Sequence, residues 1–157
     1  MRRAGRRRHL VGRRSLGTTA VVVAALLTTG CTSDPSAVYR DSAVAVLQAT
    51  LSEARTAELA GRLWVADRSP HAMAVVVVGE SETGVGGEAS WFEEQQPPSP
   101  ASDPVRGRTV DALDGASSAV QAVRISLGRS DRPGTRAALD ELRSACSDLE
   151  SLAEELG

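Results

Sequence analysis

From Ser36 to about Ala66 the chain contains no proline and one glycine, Gly61, while apolar residues return every three or four positions at Val44, Leu47, Leu51 and Ala54. That spacing puts them on one face of a 3.6-residue helix, over a length no strand reaches. The stripe resumes at Leu59, Leu63 and Ala66, one residue out of step, which predicts one long helix whose buried face drifts. A helix that is apolar along one stripe must bury that stripe against something. The rest of the sequence is therefore read for further helices able to cover it.

Ser69-Pro70 reads as a second start, a hydroxyl able to cap open N–H groups followed by proline at a first-turn position. The segment beyond it pulls two ways. Val75-Val76-Val77-Val78 favours a strand by β-branching, and Gly79, Gly84, Gly86 and Gly87 each weaken a helix by about 1 kcal/mol. Val75, Val78, Val85, Ala89 and Phe92 nevertheless share one helical face, interrupted only by Glu82, and the segment is read as helix with strand as the alternative. Gln95-Gln96-Pro97-Pro98-Ser99-Pro100 ends it, and Ser102 and Asp103 are both candidate caps for the next helix. Leu113, Ala116, Val120, Val123 and Leu127 then recur at helical spacing up to Gly128, where a left-handed C-cap is expected. After the cap residue Asp131 come Ala138, Leu142, Ala145, Leu149, Leu152 and Leu156, alternating by four and three. Four such segments joined by two short turns and one proline loop predict an all-α protein, an antiparallel up-down four-helix bundle over residues 36–157.

The first thirty residues are of another kind. Arg2, Arg3, Arg6, Arg7, Arg8, Arg13 and Arg14 precede an apolar run, Ala20–Leu27, and then the small residues Thr28-Thr29-Gly30 before Cys31. This is the architecture of an export signal, and the apolar run is about half the roughly 20 residues a membrane-crossing helix needs. Leu27-Thr28-Thr29-Gly30-Cys31 resembles the lipobox of bacterial lipoproteins, with Thr28 standing where leucine is commonest. The resemblance implies a cleaved leader over residues 1–30, diacylglycerol on the Cys31 sulfur, and a short lipidated tether over 31–35. Cleavage near Gly30 as an ordinary signal peptide, with Cys31 left as an exposed thiol, is the alternative. Arg13-Arg14-Ser15-Leu16 resembles a twin-arginine signal, with Gly17 departing from it, and the export route stays open between the two systems. Taken with the helices, the pattern resembles small helical lipoproteins of actinobacteria, which implies a lipid-anchored place on the outer face of the cell membrane and no particular activity.

Charge separates along the same boundary. Residues 1–30 hold seven Arg and no acid, leaving residues 31–157 with 11 Arg against 20 Asp plus Glu, about −9. A surface so acidic repels phosphate backbones and anionic lipid, so nucleic acid is not an expected partner and the membrane is reached through Cys31 alone. Two acyl chains on one residue suffice for stable anchoring.

Few groups offer chemistry, and neither a catalytic residue, a cofactor site nor a metal site is expected. Once the leader is removed His71 is the remaining histidine, placed in a first helical turn where capping is its ordinary role. Cys146 lies beside the stripe position Ala145 and reads as a small buried hydrophobe. Glu141, Asp148, Glu150, Glu154 and Glu155 read as a solvated acidic face without the Glu-x-x-His pairs of di-metal bundles. Glu82, on an apolar stripe, needs a partner such as Arg124. Gly84-Val85-Gly86-Gly87 lacks the lysine and spacing of a phosphate loop, and Trp64, Trp91 and Phe92 read as core end-caps. The leading functional expectation is a non-enzymatic bundle that meets another envelope component. A carrier of an apolar small molecule is the alternative.

Overall fold

The computed structural model describes residues 34–157. The leader, the lipobox-like segment and Cys31 lie outside them. Four helices follow in order, α1 (Pro35–Val65), α2 (His71–Glu93), α3 (Asp103–Gly128) and α4 (Arg132–Leu156), with a 3₁₀ turn at Pro100–Ser102 leading into α3. Among the described residues there is no strand, and Val75–Val78 lies within α2. Local preference for a strand loses there because Val78, Val85 and Phe92 are fully buried on one face of the helix.

Each helix start has its own chemistry. α1 begins at Pro35, one residue before the expected Ser36, because Asp34 accepts a hydrogen bond from Ser36 N at 3.0 Å. α4 begins as expected, with Asp131 accepting from Gly134 N at 3.0 Å. The two other expected caps are absent. Ser69 Oγ donates to the Pro70 carbonyl, so α2 starts without a side-chain cap. Ser102 is buried and caps nothing, and Asp103 is instead the first-turn acid of α3, where the helix dipole favours it.

The C-terminal ends correct another expectation. Gly128 stays helical, and the left-handed residues are Asp67 after α1 and Ser130 after α3, both at φ 55°. In each case the next amide reaches back across the last turn, Arg68 N to Leu63 O at 2.8 Å and Asp131 N to Ser126 O at 3.0 Å, as in a Schellman ending. A side chain in this conformation costs about 1–2 kcal/mol, partly offset by the smaller entropy that a non-glycine residue loses on folding. Ser130→Gly is therefore expected to raise the unfolding free energy by about 0.5–1 kcal/mol, read as a higher urea midpoint at unchanged slope.

Packing follows the stripes in outline, with Val44, Val75, Ala89, Ala145 and Leu152 half-buried where full burial is expected, and the largest change comes in α1. Its buried residues run Tyr39, Ala43, Val46, Leu47, Thr50, Leu51, Ala54, Ala57, Ala60, Gly61 and Trp64 without a slip. Leu59 is 59% exposed, Leu63 is half-buried and Ala66 is exposed, so the expected drift onto these three does not occur. The reason is closeness. A Cβ on Gly61 would stand 2.9 Å from Leu139 Cδ2 of α4 and 3.4 Å from Val123 Cγ1 of α3. Small residues let α1 approach two helices at once, and dense packing against short side chains outweighs the transfer of two leucines from water.

α1 packs against all three other helices and α3 does likewise, while the backbones of α2 and α4 do not approach each other closely. The four therefore form a bundle with a short diagonal between α1 and α3. Polar contacts tie the helix ends. Arg132, at the start of α4, donates to Val65 O at 3.3 Å in the last residue of α1 and to the Asp67 carboxylate just beyond it, and its guanidinium lies 5.1 Å from the centre of the Trp64 ring. Hydrogen bonding by Arg132 holds the Asp67 carboxyl below the usual carboxylate range. Because the shift is downward, what this pair contributes is present at neutral pH and is lost as pH falls through that lowered value. His71 Nε2 at the start of α2 donates to Leu127 O of α3 at 2.8 Å, and Arg106 of α3 donates to Glu93 O at the end of α2 at 3.2 Å.

Candidate functional site

The groups that carry chemistry are scattered over the bundle. His71 is held by the Leu127 carbonyl and leans on Trp64 with ring centres 5.4 Å apart, a role in joining helices. Cys146 is a buried free thiol on the stripe itself, and Ala145 beside it is half-buried, the reverse of the expected order. Burial first, and the nearby Glu58 carboxylate second, push that thiol's pKa up, which disfavours the reactive thiolate. Glu82 pairs with Arg124 across α2 and α3, the partner expected for it. Of the acids on α4, Glu150 pairs with Arg55 at 2.9 Å and Glu155 with Arg108 at 2.6 Å, while Glu141, Asp148 and Glu154 are exposed. Among the described residues no three His, Cys, Asp or Glu side chains come together in a way that would hold a metal ion. No helix among them is long and apolar enough to cross a membrane.

The three aromatic residues read as end-caps divide. Phe92 is fully buried with its ring 5.6 Å from that of Tyr39, and Trp64 is buried, but Trp91 is 50% exposed. It stands outside the core because Phe92 takes the inward position and the adjacent residue of a helix points about 100° away.

Trp91 belongs to a surface feature that the hydrophobic stripes do not announce. Along the outer seam between α1 and α2, Trp91 and Gly87 face Ala45 and Ala49 at one end. At the other end Leu59, Leu63, Met73 and Val77 line a groove of about 340 Å³ beside the α1–α2 turn. Leu59 and Met73 are each 59% exposed, so with Trp91 the seam leaves large apolar side chains in water. A single exposed apolar residue needs no explanation, whereas several along one groove mark an interaction surface.

A signal for it is present in α1. Leu59 falls five residues after Ala54, whereas Ala57, Gly61 and Trp64 continue the alternation of three and four. Spacing, followed in preference to hydrophobicity, puts Leu59 and Leu63 outside. No family model, curated protein or solved structure matches this chain.

Proposed function

We propose that the chain is a lipoprotein precursor whose bundle, held on the extracytoplasmic face of the cell membrane by diacylglycerol on Cys31, presents a surface to another envelope component and performs no catalysis. The bundle in this reading is an antiparallel up-down one. Support for that orientation comes from the pairs Asp67–Arg132, Glu58–Arg143 and Arg55–Glu150, in which falling numbers on α1 meet rising numbers on α4.

The observation that carries the functional reading is the α1–α2 seam, where Leu59, Met73 and Trp91 stay exposed beside apolar depressions at its two ends. Its carboxylates, imidazole and thiol are dispersed, paired or buried, which leaves the surface as the feature to be used. Crosslinking in intact membranes is expected to trap one protein reproducibly, and repeated recovery of none would count against the reading.

The anchor has a separate test. Radiolabelled palmitate is expected to enter the wild-type chain and to be lost from Cys31→Ser, with the variant released from the membrane fraction. Equal labelling of the two would overturn the lipoprotein assignment.

A carrier of an apolar small molecule is the second reading, favoured by the groove between Leu59, Leu63, Met73 and Val77, whose volume is that of a small-ligand site.

A further inference from the structure

We propose that the seam between α1 and α2 is a docking groove for a basic amphipathic helix of a partner protein; this rests on the presentation reading above and names the partner's chemistry.

The seam has the length of a short helix. Its two apolar depressions, one at Met73 and one at Trp91, are separate and stand about 18 residues apart along α2, roughly 27 Å at 1.5 Å per residue. Its apolar anchors sit at the two ends, Leu59 and Met73 at one and Trp91 at the other, all half exposed or more. Between them a carboxylate crosses the seam. Gly87 has nothing near its missing Cβ, and at Gly84 a Cβ would meet the Glu53 side chain at 3.0 Å, so Gly84 is what lets that carboxylate lie across the seam. A partner helix laid here meets the Glu53 side chain in the middle and buries large apolar side chains at either end.

Charge selects the partner. Glu53 lies in the seam against Gly84, Glu88 lines it beside Trp91, and Glu80, exposed one turn before Gly84, shares by helical spacing the face of Val77 and Gly84. None of the three has an ion-pair partner among the described residues. α2 has no arginine, and Arg68 stands at the turn end of the seam. Arginine or lysine flanking the apolar stripe of an incoming helix would meet these carboxylates, and its C-terminal end, where the helix dipole is negative, would suit Arg68. A second copy fits poorly, since a two-fold contact would bring Glu53 and Glu80 toward their own images in a domain already strongly acidic. An anionic lipid surface is repelled for the same reason.

The test titrates the full chain with two synthetic 18-residue helical peptides of leucine and alanine, one flanked by arginine and one by glutamate. The expected result is a blue shift of the Trp91 emission with the arginine peptide at micromolar Kd, and binding at least tenfold weaker for the glutamate peptide. Leu59→Gln with Met73→Gln, both at exposed positions that leave the core intact, should weaken the arginine peptide at least tenfold. Glu80→Arg with Glu88→Arg should reverse the preference between the two peptides. Equal binding of both peptides, binding of neither, retention of full affinity by the Leu59/Met73 variant, or self-association of the chain that Met73→Gln abolishes would overturn the proposal. So would an apolar dye that fills the groove while neither peptide displaces it. If peptides fail but crosslinkers placed on α3 or α4 trap a protein in intact membranes, the groove assignment falls and the presentation reading stands. If no face traps a protein, both fall.

Discussion

Phe92→Ala is expected to cost about 4 kcal/mol, the largest loss from any single truncation in this core. Phe92 is the bulkiest fully buried side chain of the bundle, and it lies near the end of α2 where that helix meets Tyr39 of α1. Truncation removes the transfer energy of the ring and leaves a void that Tyr39, fixed on α1, cannot follow. The core as a whole is mostly valine, alanine and leucine, which are too short or too constrained to fill a ring-sized hole. Since domains of this size are stable by about 5–15 kcal/mol, the loss takes a large part of the total and should lower the urea midpoint steeply. Phe92→Leu, which keeps most of the volume, should recover more than half of it. If the two substitutions cost the same, the aromatic contact with Tyr39 and not the cavity would account for most of the loss.

The opposite sign is expected on the outer face of the same helix. Gly79→Ala, Gly86→Ala and Gly87→Ala together should raise stability by about 2–3 kcal/mol, the sum of three helix-propensity gains of about 1 kcal/mol each. A Cβ at any of the three meets nothing within 4 Å. The gain therefore comes from the unfolded chain, which has fewer backbone states to lose, and from no new native contact. Gly84→Ala is the internal control. Its Cβ would press on Glu53 at 3.0 Å, so moving that side chain offsets part of the same gain and the net effect should be smaller. Gly61→Ala is a second control, because the atom it meets, Leu139 Cδ2, is the end of a flexible side chain that can yield. Thermal or urea unfolding of these variants would separate them, and a triple variant no more stable than wild type would show that α2 is held by packing alone.

How far the sequence is legible follows the strength of the stripes. In α3 every expected position, Leu113, Ala116, Val120, Val123 and Leu127, is buried, because large and small apolar residues alternate there with charged neighbours and leave one choice of face. In α4 the expected stripe holds at Ala138, Leu142, Leu149 and Leu156, and is half a position out at Cys146 and Ala153, where small residues go in and Ala145 and Leu152 turn partly outward. The second half of α1 departs for the same reason in a stronger form. Ala57 and Gly61 carry almost no hydrophobic signal, yet they define the face, because what they supply is closeness between backbones. Gly128 misleads differently, since the turn before Asp131 takes its left-handed residue two places later, at Ser130. The candidate surface is hidden by these same effects: hydrophobicity alone assigns Leu59, Leu63 and Trp91 to the interior, and nothing is then left over to form a groove. Cys31 and its leader are legible only as local motifs.

The short diagonal between α1 and α3 has a dynamic consequence. Because the backbones of α2 and α4 do not approach each other closely, each rests mainly on the α1–α3 pair and can loosen while the other keeps its place there. The two are not equally disposed to do so, since α4 carries one glycine within its span and α2 carries four. Local opening should accordingly begin at α2, leaving α1, α3 and α4 as a three-helix unit that still guards its own interior. The bundle thus divides into a scaffold of three helices and one removable wall, and the wall is also the side that bears the seam.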